Sequence, residues 1–365
     1  MRILSPAWIG ALVLVTGLGS EGLAQDRAEP QPALKARLAD RSLLLDVIQF
    51  NGSQPGYVAV GERGHVLLSQ DGRRWHQADN VPVRSMLTRL TSFGRRLWAV
   101  GHDAAIISSM DGGETWFIQY FNAEGDDLQP SAQGPLLDIV FLTANKGYAV
   151  GAYGRFMSTE DGGIHWKVER IGERVVSESI DWLEMARQQG GYETLPDDYD
   201  TGLGEDPLAL LDRGCYEADE CHLNAIVALG SGRMMIAAER GYGYRSVDDG
   251  ETWEAFRFPY SGSMFGLQAQ GDCVLAFGLR GHVQKSCDFG DTWTEVDTQS
   301  NQSLFGSDDD DSGTAVIVGA GATRLTVTPD GRTSVVSDRL GSDYVEVVIT
   351  PEGLILVGEN GVRHE

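Results

Sequence analysis

From residue 43 onward, short apolar runs alternate with clusters of Gly, Asp and Ser, and the alternation repeats. One run is an apolar stretch that closes on a small residue. It reads GYVAVG ending at Gly61, RLWAVG at Gly101, GYAVG at Gly151, RMMIAA at Ala238, CVLAFG at Gly278, TAVIVG at Gly319 and LILVG at Gly358. The steps between the glycines are 40, 50, 127 across two repeats, 41 and 39, so one repeat alone is greatly overlong. A second apolar run precedes each of these: LLLDVIQF, SMLTRLTSF, LLDIVFL, LNAIVAL, MFGLQAQ, SLFGS and YVEVVIT. Each repeat therefore predicts a strand A, a turn, a strand B, a Gly-containing turn, an alternating strand C, a second turn and a strand D. Short strands at regular spacing, each unit burying its apolar face only against its neighbours, predict an all-β closed architecture. Seven units make a seven-bladed β-propeller of four-stranded antiparallel blades.

The C–D turn carries its own signature. Four repeats obey Ser/Thr-x-Asp-x-Gly-x-x-Trp, around Asp111, Asp161, Asp248 and Asp288, and a form one residue shorter surrounds Asp71. A worn copy stands at Asp330, and the seventh repeat has none. Asp accepts backbone amides in such a turn, Gly supplies the positive φ, and Trp75, Trp116, Trp166, Trp253 and Trp293 are apolar anchors between sheets. A device that recurs once per blade is structural. No catalytic role is assigned to these Asp residues.

The last repeat ends at the close of its strand C, which leaves its outer position to the segment 25–42 just before the first strand. That segment includes ALKARLAD, which has a helical rather than an extended character. Residues 1–24 carry Arg2, an apolar run from Ala7 to Leu18 and a small-residue end, the layout of a secretory signal peptide. The expectation is an exported, periplasmic chain that is not inserted in the membrane after cleavage and is monomeric alone. Four cysteines in an exported chain predict disulfides: Cys273 with Cys287 across a hairpin centred near Arg280, and Cys215 with Cys221 around a short loop. Cys-x5-Cys is not a usual metal spacing, and neither a metal nor a cofactor is expected. The net charge of -24 opposes nucleic acid and anionic lipid as partners.

In an A-B-C-D meander the B–C turns and the D-to-A connections emerge on one face, and the A–B loops and Asp turns on the other. Arginine stands at or next to the B–C turn in six repeats, as Arg63, Arg155, Arg240, Arg280, Arg324 and Arg363. Arg63, Arg240 and Arg280 share one register, immediately before Gly. Such a rim could bind carboxylates bidentately, or each Arg could pair with a neighbouring acid such as Glu62 or Glu239. Arg63, Arg155, Arg240 and Arg280 are the candidate partner-binding residues. The overlong connection, 169–222, falls on the same face with 15 acidic and four basic residues. Val176, Ile180 and Leu183 at helical spacing predict a short helix in its first part. Asp308–Asp311 is expected to be a solvated A–B turn on the opposite face.

The pattern LLDIVF, GYAVG, Gly turn, Asp box and Trp, repeated to seven blades over residues 43–365, resembles the photosystem II stability and assembly factor family of BNR/Asp-box propellers. The resemblance implies a non-enzymatic, exported or lumenal scaffold that assists assembly of a membrane complex, with an Arg patch engaged in partner binding. It also implies, for relatives in non-photosynthetic bacteria, a link to transporters of the resistance-nodulation-division class. The long acidic insertion departs from the compact photosynthetic form. Two other classes compete: a sialidase-like glycoside hydrolase, since Asp boxes mark those too, and a carbohydrate or small-ligand binder using the central channel. No Arg-Ile-Pro type motif is present for the first, and Glu239 beside Tyr242 and Tyr244 is the nearest imitation of its catalytic residues.

Overall fold

The computed structural model describes residues 29–50, 56–122, 134–178, 221–338 and 340–365. The expected signal peptide, most of the acidic insertion and Cys215 lie outside the described residues. The strands fall into seven sheets, one per repeat; six blades are hydrogen-bonded in the order A-B-C-D, the fourth with one further strand on its outer edge, and the seventh shows A-B-C among the described residues. The A strands are Leu44–Phe50, Leu87–Phe93, Leu136–Phe141, Leu223–Gly230, Met264–Gln270, Leu304–Asp309 and Tyr344–Thr350. Each lies beside the A strand of the next blade, and the first touches the last, so the ring is closed. The chain is a seven-bladed β-propeller, and among the described residues it holds no α-helix.

One interaction recurs in every blade and explains why strand B closes on a small residue, glycine in six blades and Ala238 in the fourth. The carbonyl of the residue just before strand A accepts the N–H of the residue just after strand B. The pairs are Leu43 with Glu62 (3.0 Å), Met86 with His102 (2.9 Å), Pro135 with Ala152 (3.0 Å), His222 with Glu239 (3.2 Å), Ser263 with Leu279 (3.0 Å), Ser303 with Ala320 (2.9 Å) and Asp343 with Glu359 (3.2 Å). A Cβ on Gly61 would collide with the Leu43 carbonyl, and one on Gly101 with that of Met86. The glycine is thus set by close backbone approach rather than by φ, which at Gly61 is the extended value of -177°.

The core is laid between blades. The first residue of strand A is fully buried in six blades, from Leu44 to Leu304, and Tyr344 closes the series at 7 % exposure. Trp116 packs with Phe50, Leu68 and Leu90 between blades one and two. Trp253 meets Phe156 of blade three edge-on, with ring centroids 5.9 Å apart.

The Asp turns are held as their residue types dictate. Ser109 Oγ donates to Asp111 Oδ1 at 2.8 Å and accepts the Gly113 N–H at 2.9 Å. Asp111 also accepts the Thr115 N–H at 3.0 Å and its hydroxyl at 2.6 Å, while Trp116 Nε1 donates to the Gly113 carbonyl at 2.7 Å. The Ser and Thr bonds to the carboxylate return around Asp248 and Asp288, and the indole bond returns at Trp253. At Asp161 His165 supplies both donors in place of Thr, and the shorter turn at Asp71 uses the N–H groups of Arg73 and Arg74. These bonds lower the pKa of all five Asp residues. Trp75, Trp166 and Trp293 are half-buried, whereas Trp116 and Trp253 are buried.

Blade seven has three described strands, ending at Gly361–His364. A 3-10 turn, Ala39–Arg41, lies against the last of them, with Ala39 buried beside Val357 and Ile355. The residues before it run along blade one, where Ala33 donates to the Val81 carbonyl (3.0 Å) and Lys35 pairs with Asp79 (2.7 Å). The segment therefore spans the junction of the first and last blades.

Two local expectations are corrected. Val175–Glu178 is not helical but a strand, parallel to strand D of blade four, Trp253–Arg257. Val175 and Val176 are β-branched and meet an outer strand whose free edge offers a ladder; the helical spacing read there had no such partner in view. Asp308 and Asp309 are likewise in strand A of blade six rather than in a solvated turn. Asp310 caps the turn itself, accepting from Ser312 and Thr314. The disulfide expected between Cys273 and Cys287 is present. Cys221 is disulfide-bonded as well.

Candidate partner-binding face

The B–C turns share one backbone conformation. In five blades the second residue of a short 3-10 turn has a left-handed φ: Arg63 56°, Asp103 58°, Tyr153 58°, Arg240 56° and Arg280 58°. The residue after it also has positive φ, from Ala104 at 48° to Gly281 at 78°. Two consecutive positive-φ residues are the hairpin geometry that matches strand twist, and Gly or Asn ordinarily fills it. Arginine there carries a left-handed cost of roughly 1–2 kcal/mol per residue. Strain of this kind persists where the surrounding structure over-determines the backbone, and it concentrates at functional sites.

Arg63, Arg240 and Arg280 are exposed at the rim. Among the described residues, the guanidinium groups of Arg63 and Arg280 form no ion pair, and Glu62 does not engage Arg63. Glu239 is turned to blade four's entry, where it accepts the His222 N–H at 3.0 Å and faces its ring at 3.4 Å. Beside Arg280 a polar cleft of about 790 Å³ runs between blades five and six, lined by His282, Asp297, Asn301 and Gln302. Arg155 stands differently. It follows the turn glycine instead of preceding it, begins strand C of blade three, and is only 5 % exposed. Arg324 pairs with Glu365, and Arg363 is exposed on the last strand. The rim of one register therefore comprises Arg63, Arg240 and Arg280 without Arg155.

The channel mouth opens on this same face. It is a cavity of about 460 Å³ walled by the second residue of each A strand. Two of these residues are polar, and both are spent on the next blade: Thr88 Oγ1 donates to the Leu136 carbonyl at 2.7 Å, and Asn224 Nδ2 to that of Met264 at 2.8 Å.

Beneath the mouth, the third residue of strand A differs from blade to blade: Asp46, Arg89, Asp138, Ala225, Gly266, Gly306 and Glu346. Arg89 lies 3.5 Å from Asp46 and 3.2 Å from Asp138, and it also bonds Glu346. The carboxylates do a second task, because Asp46 accepts the Leu90 N–H of the next blade and Asp138 that of Ile226. Asp308 repeats the device two residues further along, accepting the Ile349 N–H of blade seven at 2.7 Å. Burial pushes Asp46 up to about 6 and Glu346 up to about 8, since one guanidinium offsets only part of the desolvation of three carboxylates. Sequence reasoning missed this cluster. Its signal was present in LLLDV, LLDIV and YVEVV, three apolar strands each interrupted by one acid at the same register.

The hydrolase imitation does not assemble. Tyr242 and Tyr244 are buried in the blade-four core beside Trp253, while Glu239 belongs to the turn. Among the described residues, no group of three or more His, Cys, Asp and Glu could hold a metal ion.

No family model matches the chain, and no curated protein matches it. Solved structures do. YCF48 bound to D1 peptide superposes with a TM-score of 0.59 at 16 % identity, covering 93 % of this chain and 97 % of that one. The fold is shared. YCF48 from Cyanidioschyzon merolae gives 0.59 at 17 % identity over 92 % of this chain and 97 % of its own. The WD40 propeller domain of Doa1 is almost as similar, at 0.58 and 12 % identity, covering 91 % and 95 %. A WD40 propeller and YCF48 at nearly equal scores mean that this likeness speaks for the architecture alone.

Proposed function

We propose that this protein is a non-enzymatic, exported scaffold whose B–C face binds the extracytoplasmic part of a membrane protein complex, with a transporter of the resistance-nodulation-division class as the specific candidate. The observation that carries the proposal is the pair Arg63 and Arg280. Both occupy costly left-handed positions, both are exposed, and neither guanidinium has an ion-pair partner among the described residues. A protein of net charge -24 gains nothing in solubility from cations held so, whereas a partner's carboxylates would gain bidentate contacts. The leader-like run Ala7–Leu18 and the Cys273–Cys287 disulfide support an oxidising, extracytoplasmic location. YCF48, a propeller of the same fold, is known bound to D1 peptide, which supports a peptide-binding role for a propeller of this kind.

Affinity purification of the tagged protein from detergent-solubilised membranes of its host tests the proposal. A membrane protein should copurify with the wild type and be lost when Arg63, Arg240 and Arg280 are changed together to Glu. Recovery of the propeller alone from wild-type cells would overturn it.

A further inference from the structure

The channel mouth has walls of one character and a margin of another. Leu45, Leu137, Phe265, Phe305 and Val345 supply the walls, with the two Phe rings 5.9 Å apart between centroids. At one side, from blade seven, stand Asp343 and Glu359. Asp343 uses one oxygen to accept the Gly321 N–H at 2.8 Å, and Glu359 accepts the Asp343 N–H at 3.3 Å, so each carboxylate keeps acceptor capacity. Among the described residues the one cation in the lining, Arg89, is already engaged by Asp46, Asp138 and Glu346.

This arrangement discriminates by charge. An incoming carboxylate or phosphate would meet two acids at the margin and a guanidinium already surrounded by three others. A ligand that is wholly apolar would leave Asp343 and Glu359 facing it with reduced hydration. A cation on an aliphatic stem suits both parts, because the stem lies on the aromatic and aliphatic walls and the charge reaches the acids. We infer that the channel mouth receives a lysine side chain of the partner polypeptide. The assignment to a polypeptide rather than to a free amine rests on the docking proposed above, since the cavity opens on the face that carries Arg63, Arg240 and Arg280. The partner would then present carboxylates to the rim and one lysine to the centre.

The probe is an acetylated and amidated peptide, Gly-Leu-Lys-Leu-Gly, titrated calorimetrically into the signal-free protein beside the same peptide with norleucine for lysine. The lysine peptide is expected to bind about tenfold more tightly than the norleucine peptide, and Asp343→Asn with Glu359→Gln should remove that preference. Both substitutions are isosteric and keep the backbone bonds; circular dichroism and thermal melting confirm folding. Charge reversal at Arg63 and Arg280 should leave the lysine preference unchanged. Equal binding of the two peptides, no binding of either, or a preference that survives in the double variant would overturn the inference. If the membrane partner is captured and the lysine peptide is not bound, this inference alone fails. If the peptide binds and no membrane partner is captured, the docking proposal alone fails.

Discussion

Asp138, on the inner strand of blade three, accepts the backbone N–H of Ile226 in blade four at 2.8 Å. It accepts its own neighbour's N–H, from Ile139, at the same distance, and Arg89 from blade two at 3.2 Å. One carboxylate therefore ties three blades around the channel. Asp138→Ala would leave two buried N–H groups unpaired and Arg89 short of a partner. It should cost about 3 kcal/mol or more, read as a lower midpoint in urea with little change in slope.

The acids around Arg89 give the fold a pH dependence of an uncommon sign. Burial raises Glu346 from 4.5 to about 8 and Asp46 from 3.8 to about 6, so the folded chain holds these protons more tightly than the unfolded one. The cluster favours folding most below the ordinary carboxylate range, and that contribution declines as pH rises from about 4 to about 8. Glu346→Gln keeps an acceptor for Arg89 and the Val347 N–H without the charge. Its melting temperature should exceed the wild-type value by a few degrees at pH 9 and match it near pH 5, by calorimetry across pH. A variant less stable than wild type at pH 9 would mean that the charge is net stabilising.

The Asp turns should be separable from binding. Asp248→Ala removes the acceptor for Thr252 N–H, Thr252 Oγ1 and Ser246 Oγ at one exposed turn. A loss of about 1–2 kcal/mol is expected in chemical denaturation. Partner capture from membranes should be unaffected, because this turn lies on the face opposite to the arginines.

The rim arginines should behave in the reverse sense. Replacing Arg63 and Arg280 with Gly relieves two left-handed side chains while adding freedom to the unfolded chain. Stability should stay level or rise by about 1 kcal/mol, and capture of the partner should fall. A marked loss of stability would show that the two side chains are held for structural reasons.

These contrasts explain what was legible in the sequence. The blade count was, because a carbonyl such as that of Leu43 or Met86 comes so close to the end of strand B that Gly closes it in six blades and Ala238 in the fourth, and so a small residue repeats. The Asp turns were, because Asp111, Asp248 and Asp288 perform identical bonding. The rim was legible only in part: a shift of two positions, from before the turn glycine to after it, places Arg155 in a buried strand end while Tyr153 takes the left-handed turn position. The Arg89 cluster was not, since the seven blades place Asp, Arg, Asp, Ala, Gly, Gly and Glu at its position. No repeat marks a site that is assembled from the differences between blades. The strand at Val175–Glu178 was hidden for a related reason, because its pairing partner, Trp253–Arg257, lies far along the chain.

The central claim, that the partner docks on the B–C face, is tested most directly by photocrosslinking in the host. A benzophenone amino acid is placed at Asn301, exposed in the cleft beside Arg280, and separately at Met110, exposed in an Asp turn on the other face. The account predicts a covalent adduct with a membrane protein from position 301 and none from position 110. An adduct from position 110 alone would contradict it.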